Sequence, residues 1–118
     1  MKIYFFIARC CSPLAYLFLL YRAKSGKEDL YRLKERLGVT QRIRPSGPLV
    51  WFHAASVGEL LSLITLLEIL PSNLPSYSVL VTTGTITSSK IATQRLPESA
   101  IHQYAPLDLP FSVKRFLN

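Results

Sequence analysis

Cysteine is confined to two adjacent positions, Cys10 and Cys11, in a chain of 118 residues. Adjacent cysteines cannot staple a small disulfide fold, and two thiolates cannot close a four-ligand zinc site. Histidine is as scarce: His53 and His102 stand alone, too few for a metal centre. No Gly-x-Gly-x-x-Gly and no Walker A run is present, so neither a dinucleotide fingerprint nor a P-loop is supported. Charged residues make up only 18% of the chain beside 49% hydrophobic content, which argues against disorder. The length fits one small domain or a piece of a larger one. A small globular domain, a membrane-attached domain and a fragment remain.

Acidic residues are few where basic ones are many. Residues 1–44 hold ten Lys and Arg against Glu28, Asp29 and Glu35, a net of +7. Residues 45–118 balance Lys90, Arg95, Lys114 and Arg115 against Glu59, Glu68, Glu98 and Asp108, a net of zero. A nucleic-acid module more often spreads such charge over a folded face with interleaved aromatics. A membrane-adjacent segment concentrates it in this way.

Residues 3–21 form an apolar run broken by one charge, Arg9, and one proline, Pro13. About 20 apolar residues cross the hydrocarbon, so the run is marginal, and Arg9 would have to snorkel. No small-residue cleavage site comes after it, as a secretory signal would require. Arg9 also spoils Cys10 as a lipoprotein site. The run therefore predicts an uncleaved anchor, spanning or interfacial, with a buried core helix as the competitor. Basic residues crowd its distal flank from Arg22 to Arg36, which leaves the chain beyond Arg22 in the cytoplasm. Cys10 and Cys11 read as small apolar fillers.

Residues 26–38 place Leu30, Leu33 and Leu37 at helical spacing, with Glu28–Arg32 as an i, i+4 pair and Gly38 as a stop. This predicts an amphipathic helix, either packed on the domain or lying along an anionic membrane face. Residues 42–48 read as a linker.

From Leu49 the pattern alternates. Residues 49–53 form a continuous apolar run, the type found in a strand covered on both faces. An apolar helix over 60–70 stopped by Pro71 comes next, then a strand over 77–82, a turn over 83–87, and a helix over 88–96. A weaker strand over 100–104, a loop over 105–110 and a helix over 111–117 complete the pattern. This predicts an α/β fold with a Rossmann-like parallel sheet, whose ligand crevice lies beyond the carboxyl ends of the strands. Those ends carry residues 53–59, 82–87 and 104–108. Two or three strands do not complete such a domain, and residues 114–118 read as a helix in progress.

Ser56-x-x-Glu59 fits a capping box, which is one reading of Glu59. The other is a general base at the mouth of the sheet, where the positive end of a helix favours negative charge. The readings conflict in part, because a carboxylate engaged in capping is less free to take a proton. Gly58 allows a ligand close to the backbone. His53, at a strand end, reads as a hydrogen-bonded structural histidine more readily than as a catalyst. Thr82, Thr83, Thr85 and Thr87 read as turn and cap residues that, with the Gly84 amide, can form a small anion- or hydroxyl-binding nest.

Taken together, these blocks resemble one family. Gly26-Lys27-Glu28 with Arg32, Glu35-Arg36 and Gly38 come first, then Trp51-Phe52-His53-Ala54-Ala55-Ser56-Val57-Gly58-Glu59. Thr82-Thr83-x-Thr85-x-Thr87, His102-Gln103-Tyr104-x-Pro106-Leu107-Asp108 and Arg115-Phe116-Leu117 complete the series in order. The chain resembles the N-terminal part of the 3-deoxy-D-manno-octulosonic acid (Kdo) transferases of Gram-negative bacteria, essentially from end to end. Ser88 departs from the pattern, where the family usually has glycine.

The resemblance implies the first domain of a GT-B glycosyltransferase of lipopolysaccharide biosynthesis, truncated and preceded by a membrane-anchor helix. It implies transfer of Kdo from CMP-Kdo to the lipid A precursor, lipid IVA, with no metal or cofactor beyond that donor. Glu59 would be the proton acceptor, and Ser56, Gly58, Thr82, Thr83 and Thr85 would bind the acceptor. Residues 1–22 would be the anchor, 23–48 the basic helix and linker, and 49–118 a partial Rossmann-like acceptor domain. The partners would be the lipid A precursor and anionic lipids at the cytoplasmic face of the inner membrane, and no nucleic acid. CMP-Kdo would bind a C-terminal domain that this chain lacks, leaving the chain inactive alone. A non-catalytic membrane-anchored domain holding anionic lipid through residues 26–44 is the alternative.

Overall fold

A computed structural model describes residues 2–70 and 77–118, and it groups them into two compact units. The first comprises residues 1–41 and 106–118, the second residues 42–105.

In the first unit, α1 (Lys2–Lys24) is a continuous helix containing Pro13. Ile3, Phe6, Ile7, Leu14, Leu17 and Phe18 are all more than half exposed, whereas Leu19 and Ala23 are buried. Only 17% of its most apolar stretch is buried, unlike a core helix, and by length and composition it can cross a membrane. Cys10 and Cys11 are exposed free thiols on this helix.

The amphipathic helix expected over 26–38 does not form. Only a 3-10 turn, Leu33–Leu37, is helical there, and the preceding residues are turns. Gly26 takes a left-handed conformation, φ 70°, that ends α1. The Asp29 carboxylate then accepts the Tyr31 and Arg32 N–H groups at 3.0 and 3.3 Å, an alternative to helical pairing. The expected Glu28–Arg32 pair is replaced as well. Glu28, buried, accepts from Arg22 Nε at 3.1 Å and from Arg36 Nε and Nη2 at 3.1 Å each. Arg32 instead binds Glu35 through two bonds of 2.9 Å. Three of the basic residues in this stretch are thus neutralised inside the unit, while Lys24, Lys27 and Lys34 stay exposed.

Helix α4 (Pro110–Leu117) belongs to this same unit. The Leu107 N–H donates to the Arg36 carbonyl at 2.8 Å, and Leu107 packs against Leu19, Ala23 and Leu33. Gly38, at φ 75°, sits so close to α4 that an added Cβ would collide with the Ser112 carbonyl oxygen. The unit therefore holds ten basic residues, eight up to Arg36 plus Lys114 and Arg115, against Glu28, Asp29, Glu35 and Asp108. Its net charge is +6 of the total +7, which leaves +1 for the second unit.

The second unit is a βαβαβ run: β1 (Leu49–Ala54), α2 (Val57–Ile69), β2 (Ser78–Thr83), α3 (Ile86–Arg95) and β3 (Ala100–Tyr104). Its three strands are parallel in the order β1-β2-β3, with His53 opposite Thr82 and Thr82 opposite Gln103. Leu60, Leu63 and Ile64 of α2 and Ala92 of α3 pack against Ala54, Val79 and Val81. Helix α2 starts three residues before the expected apolar run because Ser56 caps it; Pro71, its expected stop, lies outside the described residues. The expectation of double coverage fails for β1, where Val50 and Trp51 are 38% and 48% exposed. The buried strand is β2, paired on both sides, with every residue from Val79 to Thr83 buried.

Candidate active site at the carboxyl ends of the strands

Parallel strands deliver their carboxyl ends to one edge, where the next helices begin. Strand β1 ends at Ala54 and turns through Ala55 into α2, whose N-cap is Ser56 in an extended conformation. The Ser56 hydroxyl accepts the Glu59 N–H at 3.2 Å, satisfying one orphan donor of the first turn. Glu59 Oε2 reaches back and accepts the Ala55 N–H at 2.8 Å, one residue before the usual capping-box partner. Among the described residues no group bonds Glu59 Oε1, and the side chain is exposed. Capping and proton acceptance are therefore compatible, since each uses a different oxygen.

Gly58 lies in the same first turn with no positive φ, and a Cβ built on it would meet nothing nearer than Ser56 Oγ, at 3.9 Å. Neither backbone conformation nor packing demands glycine there. The turn thus offers a bare backbone patch beside the free carboxylate oxygen.

Strand β2 ends at Thr83 and leads through Gly84 to Thr85, the N-cap of α3. Thr85 Oγ1 accepts the Ser88 N–H at 3.2 Å and donates to Ser88 Oγ at 3.0 Å. Ser88, the departure noted in the sequence, thus gives the Thr85 hydroxyl proton an acceptor. Thr85 is exposed at the edge as expected of a cap.

Thr82 and Thr83 are not turn residues. Both lie in β2 and are fully buried, 0% exposed. Thr82 Oγ1 accepts from Trp51 Nε1 at 2.9 Å, lies 2.9 Å from His53 Nδ1, and donates to the Phe52 carbonyl at 3.4 Å. Thr83 Oγ1 lies 2.9 Å from His102 Nε2, so the buried histidine has a buried partner. These threonines act as pillars under the site, whereas Ser56, Gly58, Glu59 and Thr85, with His53 and Thr87, are exposed at its surface. The nest expected from Thr82, Thr83, Thr85, Thr87 and the Gly84 amide therefore loses two of its members, Thr82 and Thr83.

Sequence reasoning missed the Ala55 N–H and the Thr82 hydroxyl as positioning groups. Only cross-strand register brings Trp51 and His53 onto Thr82, from about thirty positions away along the chain. Beside Thr82, Gln103 Nε2 is buried without a hydrogen-bond partner among the described residues. Among the described residues no three of His, Cys, Asp and Glu converge on a point.

A three-stranded parallel α/β sheet whose carboxyl edge carries the first turns of its helices is consistent with a Rossmann-like domain. The family profile of 3-deoxy-D-manno-octulosonic-acid transferase (kdotransferase) matches residues 31–118, and the chain belongs to that family. It is 36% identical to the 3-deoxy-D-manno-octulosonic acid transferase of Rickettsia bellii (strain RML369-C), over 100% of this chain and 28% of the relative. It is 37% identical to a probable mitochondrial 3-deoxy-D-manno-octulosonic acid transferase of Arabidopsis thaliana, over 90% of this chain and 24% of the relative. The Haemophilus influenzae enzyme of the same name is 36% identical over 92% of this chain and 26% of its own length. The chain thus spans about a quarter of the curated relatives it matches. No solved structure matches it.

Proposed function

We propose that this chain carries the acceptor side of a Kdo transferase of lipopolysaccharide biosynthesis, with Glu59 as the general base. In this reading Glu59 Oε1 removes the proton from an acceptor hydroxyl of the lipid A precursor. The resulting oxygen bonds to the anomeric carbon of Kdo, the bond from that carbon to the CMP phosphate oxygen breaks, and CMP leaves with the electron pair. Attack opposite the leaving group inverts the configuration. Ser56 and the Ala55 N–H hold the carboxylate in place, and Gly58 lets the acceptor approach the first turn of α2. Thr85 lies at the same edge as a further acceptor contact, while Thr82 and Thr83 act from beneath. Recognition of CMP-Kdo is assigned in this reading to the length of the relatives that these 118 residues do not span, which is why transfer is assayed in a chimera. The apolar face of α1 and the basic first unit suit the cytoplasmic face of the inner membrane, where such a glycolipid is presented.

The observation that carries the reading is the single free, exposed oxygen of Glu59 in the first turn of α2. The test is a chimera joining this chain to the remainder of the Rickettsia bellii relative, assayed for Kdo transfer from CMP-Kdo to lipid IVA. Glu59→Gln keeps an acceptor for the Ala55 N–H and should lower transfer by about 10²–10⁴-fold. Undiminished transfer by that variant rules Glu59 out as the base.

A further inference from the structure

The first unit contains a groove of about 450 Å³ lined by Arg9, Ser12, Pro110 and Phe111. Arg9 is the one charge among the apolar residues 3–21 of α1. A cation in such a segment is costly unless it faces a cavity and finds a counter-ion. It does face the groove, yet no carboxylate answers it. Among the described residues Glu28 and Glu35 are held by Arg22, Arg36 and Arg32, Asp29 accepts the backbone of Tyr31 and Arg32, and Asp108, two residues before Pro110, interacts with a group other than Arg9. Arg9 has no ion pair or hydrogen bond among the described residues.

The other walls favour an anion with an apolar tail. Ser12 Oγ is spent on the Ala8 carbonyl, a 2.8 Å bond, so it adds no donor. Helix α4 begins at the groove with Pro110, and its first turn takes no side-chain cap from its own N-cap residue, Leu109. Phe111 gives an apolar wall, and the Arg115 guanidinium lies 5.6 Å from its ring centroid, a second cation beside the groove.

We propose that this groove holds an anionic phospholipid of the bilayer, its phosphate on the Arg9 guanidinium and an acyl chain against Phe111. The proposal rests on the membrane-attached reading above, but not on Glu59 chemistry. Phosphate answers the charge that the chain leaves unpaired, and the guanidinium fork matches its oxygens. The lipid would then fix α1 to α4 and hold the first unit at the membrane surface.

The test places the 118-residue chain in phosphatidylcholine nanodiscs containing a minor share of phosphatidylglycerol. Lipids retained after mild extraction are counted by native mass spectrometry. One phosphatidylglycerol should be retained in preference to phosphatidylcholine. Arg9→Gln should lower that retention about tenfold, the loss of one charge-assisted contact. Arg9→Lys should keep part of it, and Lys24→Gln, an exposed cation outside the groove, should leave it unchanged. Glu59→Gln should also leave it unchanged, which separates this proposal from the catalytic one. Equal loss in Arg9→Gln and Lys24→Gln, no loss in Arg9→Gln, or displacement of the lipid by inorganic phosphate alone would each overturn the assignment.

Discussion

Glu59 Oε2 accepts the Ala55 N–H at 2.8 Å, which ties the first turn of α2 to the residue just beyond β1. The bond orients the carboxylate without using it up, and it does so through backbone that the parallel sheet itself positions. Under the proposed function, this capping interaction is the mount for the base. The same reach would be unavailable to aspartate, whose side chain is one methylene shorter.

Gly58→Ala separates folding from ligand approach. The added methyl meets nothing within 3.9 Å, and alanine favours a helix over glycine by about 1 kcal/mol. The variant should be as stable as the parent or slightly more so in thermal unfolding. Transfer by the chimera should fall at least about tenfold, because the methyl occupies the approach to the backbone. Unchanged transfer would show that no ligand comes close there.

Thr82→Val removes the hydroxyl shared by Trp51 and His53 while keeping shape. Trp51 is the single tryptophan, so its fluorescence reports the site alone. Loss of the 2.9 Å bond to its indole N–H should change the emission maximum and cost about 1 kcal/mol. An unaltered spectrum would mean that the hydroxyl does not hold the ring.

Glu28→Gln takes the charge from between Arg22 and Arg36. Arg36 is buried and would keep an uncompensated charge, a loss of about 3 kcal/mol. The Arg22 side is a third exposed and contributes little of this. Denaturant unfolding of the chain in detergent should show the loss, with weak dependence on salt because the main pair is buried. A change below about 0.5 kcal/mol would place the triad among inert surface pairs.

Gly38→Ala should separate α4 from the 3-10 turn. A left-handed φ of 75° already disfavours alanine, and the new Cβ would run into the Ser112 carbonyl and reach Arg115 Cβ at 3.0 Å. Backbone at that contact cannot rotate away as a flexible side chain would. A loss of about 2 kcal/mol or more is expected, with faster amide exchange in residues 110–117. Protection equal to the parent's would show that the close approach is dispensable.

Local pattern alone determined several things about this protein. The alternation from Leu49 onward specified a parallel βαβαβ run, and β3 falls on residues 100–104 as expected. Ser56 and Glu59 announced the start of α2, because capping needs only residues three positions apart. The apolar run before Arg22 specified α1 for the same reason, since helical hydrogen bonds are local. Tertiary structure decided the rest. Glu28 had a helical partner on paper in Arg32, but packing gave it Arg36 and Arg22, and the expected helix gave way to turns. Thr83, expected to open a turn, proved to be the last residue of the central strand, and strand pairing buried it with Thr82. The basic charge, assigned to residues 1–44, loses Arg42 and Arg44 to the second unit and gains Lys114 and Arg115 with Asp108 from the chain around α4. Pairing between residues distant along the chain depends on register and close packing, which no local pattern records, whereas caps and helices are settled within four residues.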